Sequence, residues 1–496
     1  MFRKLLGAIA IATLVLTTAA CAPEPKPVAS NGLPSVYSQR LSTHKCGEFL
    51  CGTVNAPIDW ANPEGETFKL AYSFKQIAGS GKYLFVNPGG PGASGIDLAT
   101  TNLDSVGTAG LRSKYNIVGF DPRGTKGSSP VKCFDAKKMD NFLYTDSGFP
   151  AGSPQDLAVS RKAVAEFVAA CKANTGSILG HLDTVSAAKD LDLLRAVFGQ
   201  SKLNYLGFSY GTFLGTTYAA LFPQNVGRFV LDGAIDPTVS DEDQSFNQLK
   251  GFDLALHNYM KDCIDNQADC PFSGSVDQGL ARISQFFSEV ERKPLDTSDG
   301  RKAGVAVTTT GLDMTLYSND YWTYLTQAFN DAFNKKDGSL FLQLADFYND
   351  RNADGTYADN MFEAFVSINC LDGRSDSSPA AVAKQNNRML AASPTLGRFW
   401  QNGAELCAHW PYPVAERPAS YAAHGAPTIV VIGTTGDPAT PYQQAVDLAH
   451  KVLANGLLVT YQGEGHTAYG RSNSCISRVV DYFLIAGSLP VSEPTC

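Results

Sequence analysis

Gly207-Phe208-Ser209-Tyr210-Gly211 lies between an apolar run, Leu203 to Leu206, and a helical run, Thr212 to Phe222. A strand that turns at once into a helix holds the corner residue in a strained backbone conformation. Its side chain is lifted above the end of the strand. Only small residues tolerate the close approach on either side of such a corner, which accounts for Gly207 and Gly211. The corner residue is Ser209. A serine hydroxyl is a weak nucleophile until a base takes its proton, so the partners offered elsewhere in the chain decide what the motif means.

The surroundings alternate between strands and helices. Tyr83-Leu84-Phe85-Val86 reads as a short buried strand running into Asn87-Pro88-Gly89-Gly90-Pro91-Gly92, and Tyr115 to Phe120 as another running into Asp121-Pro122-Arg123-Gly124. Asp183 or Thr184 caps a helix with Ala187, Leu191, Leu194 and Phe198 on one face. Phe229-Val230-Leu231, Ile429 to Ile432 and Leu457 to Thr460 read as further strands. Fully apolar strands separated by helices predict an α/β fold, a mostly parallel sheet flanked by helices on both faces. Residues 241–395 lack such strands. Leu249, Phe252, Leu256 and Tyr259 share one helical face, as do Leu280, Ile283, Phe287 and Val290. This stretch reads as a mainly helical cap inserted into a core made of residues 36–240 and 396–496.

The chain has seven histidines. His466, in Gly463-Glu464-Gly465-His466-Thr467, follows the last strand in a glycine-bearing loop, and is the candidate base. Asp437, in Gly433-Thr434-Thr435-Gly436-Asp437-Pro438, ends the preceding strand and is the candidate acid that would orient the imidazole. Asp232 also follows a strand and competes with it; otherwise it caps a loop near the site floor. Glu464 is close to His466 in sequence and is expected to point elsewhere. Ser, then acid, then His is the chain order of the α/β-hydrolase fold. A tetrahedral intermediate needs N–H donors aimed at its oxyanion. The candidates are the backbone N–H groups of Tyr210, after the nucleophile, and Gly90, in the glycine-rich loop. Arg123 reads as a structural tie between loops. Trp400 and Trp410 are candidates for a pocket wall or for the cap core. No Walker pattern is present, and no cofactor is expected.

Length and charge bound the rest. At 496 residues the chain exceeds one simple core, and a net charge of -8 without a basic tract argues against nucleic acid as a partner. Phe2-Arg3-Lys4, the apolar stretch Leu5 to Leu16, and Thr18-Ala19-Ala20-Cys21 read as a signal peptide over residues 1–20. Cys21 follows the cleavage site as in a bacterial lipoprotein, and residues 21–35 form a Pro/Ala/Ser-rich tether. The expectation is an exported protein held at the membrane only by a lipid on Cys21. Of 11 cysteines, setting Cys21 aside leaves an even number. No CxxC or CxxH spacing suggests metal. Proximity suggests the pairs Cys46–Cys51, Cys263–Cys270 and Cys475–Cys496, leaving Cys133 with Cys171 and Cys370 with Cys407.

The block Asn87 to Gly92, Asp121-Pro122-Arg123-Gly124, the Ser209 pentapeptide, Val230-Leu231-Asp232-Gly233, and the terminal Gly436-Asp437-Pro438 and Gly465-His466 together resemble exported actinobacterial tripeptidyl aminopeptidases. These are α/β-hydrolase serine peptidases related to proline iminopeptidase. Proline iminopeptidases carry His where this chain has Pro88; in having Pro88 the chain is similar to the tripeptidyl branch. The resemblance implies a serine exopeptidase that releases short peptides from free N-termini, with a cap that restricts entry and no cofactor. Such an enzyme needs a carboxylate for the substrate's ammonium group; Glu363 and Asp372 are candidates. An exported carboxylesterase or lipase on the same scaffold is the alternative, because both reactions are acyl transfers through a serine.

Overall fold

A computed structural model describes residues 34–489 and 492–496. The leader, Cys21 and most of the tether lie outside the described residues.

Eleven strands follow in chain order among the described residues: β1 (His44–Cys46), β2 (Phe49–Pro57), β3 (Thr67–Phe74), β4 (Tyr83–Asn87), β5 (Asn116–Phe120), β6 (Leu203–Phe208), β7 (Val226–Asp232), β8 (Leu295–Asp296), β9 (Lys302–Ala303), β10 (Ile429–Gly436) and β11 (Gly456–Glu464). β8 and β9 form a separate two-residue ribbon; the other nine make one sheet ordered β1-β2-β3-β5-β4-β6-β7-β10-β11. β1, β2, β3 and β5 pair antiparallel in turn, and β5, β4, β6, β7, β10 and β11 run parallel to one another. Alternate residues of the parallel strands enter two different cores. Phe85, Tyr205, Val431 and Ile429 pack on one face, and Leu84, Leu206, Val430 and Ile432 on the other. Covering on both faces is why these strands are apolar at every position. The α/β-hydrolase architecture follows from this topology.

The strand order reverses around β4, with β5 on one side and β6 on the other. In such sheets ligands bind in the crevice beyond the carboxyl ends of the strands at the reversal. Asn87, the last residue of β4, pairs with Gly207 near the end of β6. The glycine-rich loop and the serine corner therefore leave the sheet side by side.

Between β7 and β10 the chain is mainly helical, from Asp241–Asn266 to Pro379–Ala392. Leu249, Phe252, Leu256, Tyr259, Ile283 and Phe287 are buried in a core of its own. The sheet resumes at Ile429, and the stretch 396–428 contributes no strand to it. Arg123 ties the core together as read from the sequence. It is fully buried, meets Asp190 through Nε at 2.7 Å and Nη2 at 2.6 Å, and donates to the carbonyls of Pro57, Ile58 and His181. All five cysteine pairs expected from spacing are disulfides.

Candidate active site

Ser209 stands between β6 and the helix Tyr210–Leu221 with φ 54° and ψ -124°. A non-glycine residue in this region is strained and persists only where the surroundings hold it. Here the Ser209 N–H donates to the Asp232 carbonyl at 2.9 Å, and the Ser209 carbonyl accepts from Thr212 N–H at 2.8 Å and Thr212 Oγ1 at 2.6 Å. The flanking glycines have no room for a side chain. A Cβ on Gly207 would collide with the Gly211 carbonyl, and one on Gly211 would come within 2.8 Å of the Asn87 carbonyl.

The glycine-rich loop presses on this corner. A Cβ on Gly89 would meet the Phe208 carbonyl at 2.6 Å, Ser209 Cβ at 2.9 Å and Tyr210 N at 3.1 Å. Asn87 shapes the loop by accepting the Gly89 N–H at 3.0 Å. The N–H groups of Tyr210 and Gly90 donate no hydrogen bond among the described residues. Both residues line one cavity with Ser209. Two unspent backbone donors beside a serine hydroxyl are the parts an oxyanion requires.

His466 and Asp437 meet from separate loops. His466 Nδ1 lies 2.9 and 3.0 Å from the two Asp437 oxygens. Asp437 has no exposed side-chain surface and also accepts the N–H groups of Ala439, Thr440 and Thr467 and the Thr440 hydroxyl. A carboxylate tied this fully cannot swing away, so it fixes the imidazole's orientation and puts the proton on Nδ1. That leaves Nε2 free to act as a base. Ser209 Oγ makes no hydrogen bond among the described residues; such contacts often tighten only when substrate is bound. The His466 N–H donates to the Tyr317 carbonyl at 2.8 Å, and the Tyr317 ring stands edge-on to the imidazole with centroids 5.6 Å apart. Tyr317 belongs to the helical insertion, and no local pattern marked it. Its contact joins residues 149 positions apart.

Asp232 does not touch the imidazole. Its carboxylate accepts the N–H groups of Ala468 and Tyr469, at 3.0 and 2.7 Å, and so shapes the loop behind His466. Burial pushes this carboxyl up to about 6, against the backbone donors that favour its charge. Glu464 turns away and accepts from Asn258.

The cavity above Ser209 has a volume of about 480 Å³. Phe213, Phe365 and Trp400 line it, as do Asp241, Glu242 and Asp372. Trp410, the other tryptophan considered for the wall, is buried in the core. Glu363 requires a correction. It lines a different cavity, with Lys126, Lys132 and Asp359. It stands nine positions before Asp372 on the helix Met361–Asp372. At about 100° per residue that spacing puts them on opposite helix faces, whereas Phe365, Asn369 and Asp372 share one.

A family model described as TAP-like protein matches residues 393–496. Serine protease Hip1 of Mycobacterium tuberculosis is 34% identical over 91% of this chain and 88% of its own length. The chain belongs to the tripeptidyl aminopeptidase family of α/β-hydrolases. Carboxylesterase B of Mycobacterium tuberculosis is 35% identical over 100% of this chain and 96% of that one. Tripeptidyl aminopeptidase of Streptomyces coelicolor is 29% identical over 90% and 82%. Membership of this family makes the chain a serine hydrolase. The relatives' names divide between peptide and ester chemistry, which proceed through the same acyl transfer.

Proposed function

We propose that this protein is a serine exopeptidase that removes short peptides, tripeptides first among them, from free N-termini. The held His466–Asp437 pair, with a strained Ser209 and two unspent N–H donors, carries the acyl-transfer chemistry, and the relatives named serine protease Hip1 and tripeptidyl aminopeptidase favour a peptide substrate. In this mechanism His466 Nε2 takes the Ser209 proton as Oγ attacks the scissile carbonyl carbon. The Tyr210 and Gly90 N–H groups receive the oxyanion. The imidazolium returns its proton to the leaving amine, and the C–N bond breaks to leave an acyl-enzyme. Water, deprotonated by the same Nε2, then releases the short peptide and restores Ser209.

The enzyme is read as exported, with Cys21 as its lipidated N-terminus. Five disulfides support an oxidising compartment. No described helix is long and apolar enough to cross a membrane, so any membrane contact through those helices would be peripheral. Its partners are peptides or proteins with free N-termini.

The second reading is an exported carboxylesterase, favoured by the full-length relative of that name. Hydrolysis of free and N-acetylated tripeptidyl, dipeptidyl and single-residue amides and a short-chain ester separates the two. Release from free tripeptidyl amides, lost on acetylation and absent in Ser209→Ala, is the expected result. Turnover of the ester alone replaces the peptidase reading with the esterase.

A further inference from the structure

The cavity above Ser209 contains a buried carboxylate without a cation. Asp372 ends the helix Met361–Asp372, is 7% exposed, and lines this cavity. Its Oδ1 accepts the Thr184 N–H at 2.7 Å and its Oδ2 the Thr184 hydroxyl at 2.5 Å, both neutral donors. Arg417 is adjacent, yet it spends Nε on the Asp372 backbone carbonyl at 2.8 Å and Nη2 on Asp241 at 3.3 Å. No ion pair reaches the Asp372 carboxylate among the described residues. Burial holds this carboxyl up at about 7. Buried carboxylates are ordinarily paired with a cation. The carboxyl end of a helix also favours positive charge, and Asp241 and Glu242 line the same cavity.

We infer that Asp372, in the cavity it shares with Ser209, is the ion-pair partner for the substrate's α-ammonium group, and that its separation from Ser209 anchors a free N-terminus relative to the nucleophile. This inference rests on the exopeptidase reading above. The separation is built into the fold. Tyr210 follows Ser209 in the chain, and its hydroxyl is 2.5 Å from Thr184 Oγ1, which is 2.5 Å from Asp372 Oδ2. A tyrosine side chain and two hydrogen bonds thus lie between the serine corner and the carboxylate. That linkage holds the carboxylate in a fixed position relative to the nucleophile, so an ammonium group paired with it is held in register with the scissile bond. Phe213, Phe365 and Trp400 line the same cavity, and apolar walls that exclude water strengthen an ion pair formed there.

The test is the ratio of kcat/KM for a free tripeptidyl amide to that for its N-acetylated form. Wild type is expected to favour the free amine about 10- to 100-fold, the range of a buried charge-assisted contact. Asp372→Asn is expected to bring the ratio close to one, mainly through KM, and Asp372→Glu to restore part of it. An Asp372→Asn protein that keeps the wild-type ratio overturns the inference and leaves the exopeptidase reading standing. A wild type that does not distinguish the two amides, or cleaves only the ester, removes the exopeptidase reading and this inference with it. Should Asp372→Asn fail to melt cooperatively, the wild-type ratio from pH 8 to pH 5 decides. Any change in the common acyl-transfer step affects both substrates alike and cancels in the ratio. The carboxylate facing Thr184 and Asp183, Tyr210, Asp241 and Arg417 must be ionised to hold the ammonium, so the ratio is expected to fall as pH drops through about 7. A flat ratio overturns the inference.

Discussion

Asp437 illustrates how one side chain serves both the fold and the proposed chemistry. Four donors besides His466 converge on its two oxygens, from Ala439, Thr440 and Thr467. An amide in its place must turn an NH₂ toward some of these donors or toward Nδ1 of His466. With NH₂ toward Nδ1 the imidazole takes the opposite tautomer and Nε2 carries the proton; with NH₂ toward the other donors, donor meets donor and the side chain is pushed out of its cradle. Asp437→Asn is therefore expected to lower kcat about 10⁴-fold with little change in KM, as measured by steady-state hydrolysis of the preferred amide. A drop of less than tenfold would assign the orienting role elsewhere. Asp232 was the competitor in the sequence because it too ends a strand. Its carboxylate instead holds the backbone of Ala468 and Tyr469, a distinction of direction that strand-end position does not encode.

At the scale of elements, the sheet is written twice in the sequence. Apolar residues run without alternation along β4, β6 and β10 because both faces are covered. Glycines fall where the corner at Ser209 leaves no space. What joins these elements is less visible. Arg123, between β5 and the next helix, satisfies its guanidinium with one carboxylate and three carbonyls from other segments. Trp60 Nε1 adds a hydrogen bond to Asp190 at 2.9 Å. Truncating one partner strands a buried charge, so Arg123→Ala is expected to cost about 3–5 kcal/mol. Urea denaturation measures it, and a change under 1 kcal/mol would contradict the tie.

Over the whole molecule, two cores meet across the cavity, and the disulfides stabilise both. Cys263–Cys270 lies in the insertion and Cys133–Cys171 in the sheet core. Cys370–Cys407 joins the helix bearing Asp372 to the segment lining the cavity at Cys407. The three longer loops close at separations of 38, 37 and 21 residues. Each such loop is worth roughly 3–4 kcal/mol through the entropy of the unfolded chain. Full reduction is expected to lower the melting temperature by on the order of 10 °C, read by calorimetry with and without a thiol reductant. A shift within 2 °C would mean that packing alone carries the stability.

The sequence by itself determined the α/β order of elements, the helical character of residues 241–395, an even set of cysteines with three close-spaced pairs, and Ser209, His466 and Asp437 as the residues to watch. Each is legible because its physical cause is local: a run of apolar residues, a helical period, a turn that admits only glycine, a short spacing. Tertiary structure alone decided that Asp437 rather than Asp232 faces the imidazole, and that Asp372 and Glu363 line different cavities although they share a helix. It alone brought Tyr317 to His466 and Thr184 between Tyr210 and Asp372. These contacts join residues far apart in the chain, and the direction of a side chain depends on what packs against it.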